Sequence, residues 1–247
     1  NMRKLEDISC FLLDMDGTIY LGHKLIDGAL DFLDTLKKEN KRFIFLTNNS
    51  SKGKEAYLKK LNELGIEVTA REVYSSGDAA IHYLTKLKKG ARIFLLGTPA
   101  LEEDFIKAGF QLIKERDENI DFVVLGFDTT LTYEKLWIAC DYIKSGVQFI
   151  ATHGDLVCPL EDNKSMPDAG AMIELINAAT GKRPKIIGKP ELTMVEAISE
   201  VYGVDKEDLA MVGDRLYTDI KMGQVADITS ILVYSGETTR EMYNSSD

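Results

Sequence analysis

Residues 8–13 form a largely apolar run that stops at two carboxylates and a glycine, Asp14-Met15-Asp16-Gly17-Thr18, and no other stretch restricts the fold as strongly. The run is too short for an ordinary helix. Bulky apolar residues closed by a turn-forming glycine fit a strand buried on both faces, as in a parallel sheet. Asp14 and Asp16 are two residues apart, so while the backbone stays extended both side chains point the same way. Two like charges held that close disfavour full ionisation unless a cation or a shared proton offsets them. A divalent metal would do so, and it would also clamp a phosphate. Taken alone, the D-x-D-G pattern is equally at home in a plain turn after a strand.

The same grammar recurs along the chain. A second apolar run, 43–47, ends in Thr47, Asn48, Asn49, Ser50 and Ser51. Further runs end at Gly188-Lys189-Pro190 and at Gly213-Asp214, and 230–234 is one more. Helical spacing separates them, with Leu30, Leu33 and Leu36, then 54–64 before Gly65, and 191–202 before Gly203. This β-α-β-α order predicts a Rossmann-like α/β fold, a parallel sheet with right-handed crossovers whose functional groups gather at the carboxyl ends of the strands. The segment 19–23 reads as a small hairpin or flap, with His23 as a possible substrate contact.

A second series interrupts the first. After a short strand or hinge at 73–77, helices are expected from Asp78, over 100–108, over 133–144 and from Asp168 to Gly181, with strands at 92–97, 122–126 and 147–152. Two of these strands end in glycine rather than acid, so the inserted α/β unit is expected to supply a roof and substrate contacts. Thr152-His153-Gly154-Asp155 is its polar exception, and the candidate source of selectivity. The expected division is a catalytic core over 1–78 and 183–247 with an inserted cap over 79–182.

A formal net charge of -10 works against polyanion binding, so nucleic acid is not an expected partner. No apolar run approaches the roughly 18 residues that span a bilayer, and no basic-then-apolar signal pattern opens the chain; a cytoplasmic protein without membrane contact is expected. Cys10, Cys140 and Cys158 lack C-x-x-C spacing and are expected to be reduced and structural. No residue pattern specifies an oligomeric state.

Four separated motifs together carry a family resemblance: Asp14-Met15-Asp16-Gly17-Thr18, Thr47-Asn48-Asn49, Gly188-Lys189-Pro190 and Gly213-Asp214-Arg215-Leu216-Tyr217-Thr218-Asp219. In that order they resemble the haloacid dehalogenase superfamily, and the whole chain is similar to its NagD-like phosphatases with an inserted cap. The resemblance implies a Mg2+-dependent phosphatase acting on a small phosphorylated metabolite through an aspartyl phosphate. Asp14 would be the nucleophile and Asp16 the general acid and base. Thr47, Asn48, Asn49 and Lys189 would bind the phosphate, with Thr152, His153 and Asp155 contacting the rest of the substrate. Asp14, the Asp16 carbonyl and Asp214 would hold the metal, with Asp219 behind them. Related folds continue with another strand and helix after 230–234, which leaves the edge of the sheet open. Two other readings use the same residues. One is a phosphoacceptor signalling domain, against which the motif order and the large insertion argue; the other is a non-catalytic binding relative, against which the complete acidic set argues.

Overall fold

The computed structural model describes residues 4–214 and 219–233. The chain forms two compact units, one comprising Asn1–Thr47, Lys54–Tyr74 and Lys189–Asp247, the other Asn48–Gly53 and Ser75–Gly188. Both are α/β layers built on a parallel sheet.

In the first unit the strands lie in the order Thr229–Leu232, Leu209–Gly213, Cys10–Asp14, Arg42–Thr47, Val73–Ser75. Cys10–Asp14 is buried at every residue, which is why it reads as a continuous apolar run instead of an alternating one. Phe11, Leu13, Phe43, Phe45, Ala210 and Val212 share a face and pack with Ala29, Leu33 and Leu36 of the helix Ala29–Lys38. Each such aliphatic or aromatic side chain contributes about 1.5–3 kcal/mol on burial. Leu30 is exposed, because the helical stripe runs through Ala29 instead. The register sets the functional ends level: Asp14 pairs with Leu46, one residue before Thr47, and Leu13 pairs with Val212, two before Asp214. Chain order reverses at Cys10–Asp14, since its neighbours come from 42–47 on one side and from 209–213 on the other. The carboxyl ends at such a reversal form the crevice where open α/β sheets hold ligands.

The second unit has its own parallel sheet, ordered Lys185–Ile186, Gln148–Ala151, Phe122–Leu125, Arg92–Leu96, Gln111–Leu112. The helices Tyr133–Lys144 and Ala169–Thr180 bury Ile138, Ile143, Ile173 and Ile176 in one cluster with Phe94, Val123 and Leu125. Asp168 caps the latter helix and Gly181 closes it at φ 75°.

Three features differ from the sequence expectation. Lys185–Ile186 does not return the chain to the first sheet; it pairs with Ile150 and Ala151 as the edge of the second, and Ile186 packs on that unit's core. Residues 48–53 group with the second unit although they directly follow a strand of the first. The hairpin Val157–Pro159 with Ser165–Pro167 was not anticipated, because its strands are short and carry no alternating apolar pattern. The segment 19–23 contributes to a hairpin, Tyr20–Leu21 with Lys24–Leu25. The motif residues 215–218, and Tyr234 of the last expected strand, lie outside the described residues. Among the described residues no helix is long and apolar enough to cross a membrane. No disulfide links the cysteines, and burial pushes the Cys10 thiol up to about 11, which makes it an inert core group.

Candidate active site

The strand Cys10–Asp14 ends in a tight turn. The Met15 carbonyl accepts from the backbone of Thr18 and Ile19, and Gly17, at φ 83°, donates to the Tyr20 carbonyl. The turn separates the two acids. Asp14 is buried whereas Asp16 is exposed, so the alternation expected of extended backbone ends one residue after Asp14. Thr18 turns back inward, and its hydroxyl lies 3.5 Å from Asp214 Oδ1, at the outer limit of a hydrogen bond.

Asp14, Asp214 and Asp219 bring carboxylate oxygens within 4.8 Å of one another, all three buried. Lys189 Nζ, itself buried, lies 3.1 Å from Asp14 Oδ1 and 2.7 Å from Asp219 Oδ1. Gly213 makes this approach possible, since a Cβ there would stand 2.3 Å from the Cβ of Asp219. Burial raises the pKa of Asp14, Lys189 partly counters that, and the Asp214 charge adds to the rise. For Lys189 burial alone would favour the neutral amine, but attraction to Asp14 and Asp219 outweighs it and the ammonium is held. Three carboxylates around one ammonium leave an excess of negative charge when all are ionised. Converging hard oxygen donors of that charge suit a small divalent cation.

Thr47 is the half-buried last residue of its strand. Asn48, Asn49, Thr152, His153 and Asp155 belong to the second unit. Asn48 is buried; Ser76 Oγ donates to its carbonyl at 2.6 Å, and its side-chain amide donates to Asp155 Oδ1 at 3.2 Å. Gly188 leaves room for it, because a Cβ there would lie 2.6 Å from Asn48 Oδ1. Asn49 Oδ1 accepts from the backbone N–H and hydroxyl of Ser51 at 2.8 and 2.6 Å, a local turn that occupies the acceptor end of its side chain. Asp155 is half-buried, and His23 is exposed.

Thr152 and His153 do not stand where substrate contacts were expected. Both have 0% exposure, and their side chains engage Ser50, Ser76 and Asp168. The polar cluster at a strand end suggested substrate contacts, and nothing local in the sequence marked Asp168 or Ser50 as its partners. Thr18, Ser50, Ser76 and Asp168 were missed as site-related residues. Only Thr18, inside the first motif, carried a usable signal.

Comparison with known proteins identifies the family. A family model described as haloacid dehalogenase-like hydrolase matches residues 11–111, and a second, of HAD-hydrolase-like proteins, matches 186–247. An acid sugar phosphatase of Staphylococcus haemolyticus is 37% identical over 98% of this chain and 91% of its own length. A 4-nitrophenylphosphatase from Thermotoga maritima superposes with a TM-score of 0.92 at 49% identity, covering 98% of this chain and 92% of that one. A putative nagD protein gives 0.90 at 50% identity, covering 96% and 92%. A glycerol phosphate phosphatase from Mycobacterium tuberculosis, solved in complex with magnesium, gives 0.85 at 31%, covering 96% and 72%. With its parallel sheet, its acidic strand ends and these relatives, the chain belongs to the haloacid dehalogenase-like hydrolases, in their NagD-like phosphatase branch.

Proposed function

We propose that this protein is a Mg2+-dependent hydrolase of small phosphate monoesters that works through an aspartyl phosphate on Asp14. One observation carries the reading: Lys189 reaches Asp14 and Asp219 together within a buried cluster completed by Asp214. Lys189 is already paired there, and the three carboxylates leave a net negative charge when all are ionised, which suits a site that takes a cation together with an anionic phosphate.

In the first half-reaction an Asp14 oxygen attacks phosphorus. The bond from phosphorus to the leaving oxygen breaks as the new bond forms, and Asp16 gives its proton to the departing alcohol. In the second, water attacks phosphorus, Asp16 takes the water's proton, and the electron pair returns to the Asp14 carboxylate. Exposure suits Asp16 to this task, since it can exchange protons with water and with leaving groups of many shapes. Lys189, the Thr47 hydroxyl and the Asn48 amide stabilise charge on the phosphoryl oxygens, and Asp219 at 2.7 Å orients Lys189. Asp14, the Asp16 carbonyl and Asp214 would hold Mg2+, which supplies positive charge to offset that of the phosphoryl group and the carboxylates.

The name of the staphylococcal relative favours phosphorylated sugars as the substrate class. Phosphate release from p-nitrophenyl phosphate and from a panel of sugar phosphates tests the reading. Activity should vanish with EDTA and return with Mg2+. Full activity in metal-free buffer, or no release from any ester, would overturn it.

A further inference from the structure

Within the second unit, residues 48–53 are held from several directions at once. Thr98 donates to the Ser51 carbonyl at 2.9 Å, Ser76 donates to the Asn48 carbonyl at 2.6 Å, and the Phe127 backbone N–H donates to Ser50 Oγ at 3.0 Å. Ser50 Oγ lies 3.0 Å from Thr152 Oγ1, which lies 2.9 Å from His153 Nδ1; His153 Nε2 then lies 2.7 Å from Asp168 Oδ1. Gly126 accommodates this path, for a Cβ there would stand 3.2 Å from Ser50 Oγ.

Donor counting fixes every hydrogen along the path. Asp168 Oδ1 already accepts from the Ala169 N–H at 2.6 Å, and a carboxylate can only accept, so His153 Nε2 carries a hydrogen. In that tautomer Nδ1 accepts. Ser76 cannot supply it, because its one hydrogen goes to the Asn48 carbonyl and its oxygen lies 3.5 Å away. Thr152 therefore donates to His153, Ser50 donates to Thr152, and Phe127 donates to Ser50. The opposite direction, with Nδ1 donating, would leave the Ser50 hydroxyl hydrogen without an acceptor among the described residues. The bonds thus run one way, from the Phe127 backbone N–H through Ser50, Thr152 and His153 to the Asp168 carboxylate, and all four side chains are almost wholly buried.

We infer that Thr152 and His153, backed by Asp168 and Ser50, are positioning residues that fix the segment carrying Asn48. The inference rests on the proposed phosphatase reading, in which Asn48 donates to the substrate's phosphate. It moves Thr152 and His153 from selecting the leaving group to setting a group that every ester shares. Cutting the chain should then weaken phosphate binding equally for all esters, because on that reading Asn48 serves the phosphate, the group that every ester shares.

Thr152→Val removes the hydroxyl with little change of shape, and Thr152→Ser keeps it. With inorganic phosphate as competitive inhibitor, Thr152→Val should raise the Ki about tenfold, the scale of one disturbed hydrogen bond to a charged group. It should raise KM for p-nitrophenyl phosphate and for glucose 6-phosphate by the same factor, leaving the Mg2+ requirement unchanged. Thr152→Ser should stay within about twofold of wild type. Should Thr152→Val not fold by circular dichroism, Ser50→Ala cuts the same chain one link earlier and carries the same expectation. An unchanged Ki in a folded variant, a loss confined to one ester, or equal losses in Thr152→Val and Thr152→Ser would overturn the inference. A wild-type protein that releases phosphate from no ester would instead sink the phosphatase reading beneath it.

Discussion

Asp14 concentrates the energetic conflict of the site in one residue. Burial and the neighbouring Asp214 charge both favour its protonated form, while Lys189 at 3.1 Å favours the carboxylate that attack on phosphorus requires. A nucleophile of this kind costs stability until a cation reaches it. Asp14→Asn should therefore abolish turnover and raise the thermal midpoint of the metal-free protein, since the amide bears no charge and Lys189 keeps Asp219. Calorimetry in EDTA checks this, and a lower midpoint for the variant would contradict it. Asp14, Lys189 and Asp214 were legible because each is a polar stop after an apolar run, a pattern that short-range sequence displays. The burial of Thr152 and His153 was not, because it depends on Ser50 and Asp168, whose approach is set by tertiary packing.

At the scale of elements, the strand ends do the positioning, and glycine decides how near they come. The register of Cys10–Asp14 with its two neighbours levels Asp14, Thr47 and Asp214 within one residue, which the order of apolar runs foretold in outline. What periodicity could not tell was sheet membership. The run at 185–187 looks like the strands around it, yet it pairs with Gln148–Ala151, because a two-residue strand is assigned by its neighbours and not by its own pattern. Gly213 offers a direct test of the close approach. Gly213→Ala places a Cβ 2.3 Å from that of Asp219, so the helix-side acid must shift away from Lys189. The expected outcome is a loss of about 1–3 kcal/mol in denaturant unfolding with a fall in kcat/KM. A variant with unchanged stability and activity would show that the site tolerates the displacement.

For the whole molecule, the clustered acids couple stability to pH and to metal. Where folding raises a carboxylate's pKa, the folded state binds more protons than the unfolded chain, so stability falls as pH rises from about 4, the ordinary carboxylate value, through the raised value of Asp14. A cation that binds only the folded, ionised cluster reverses that loss. Mg2+ should accordingly raise the melting temperature more at about pH 7.5 than at about pH 4.5; equal increments at both would contradict the linkage. The net charge of -10 says nothing of this local arrangement, in which a buried lysine sits among the acids. The central claim is that Asp14 carries the phosphoryl group in passing, and acid quenching of the protein during turnover of a 32P-labelled phosphate ester tests it most directly. Protein-bound label that is released by hydroxylamine, turns over at the steady-state rate and is missing from Asp14→Asn is the predicted result. Turnover without label, label that survives in Asp14→Asn, or label that outlasts turnover by minutes would contradict it.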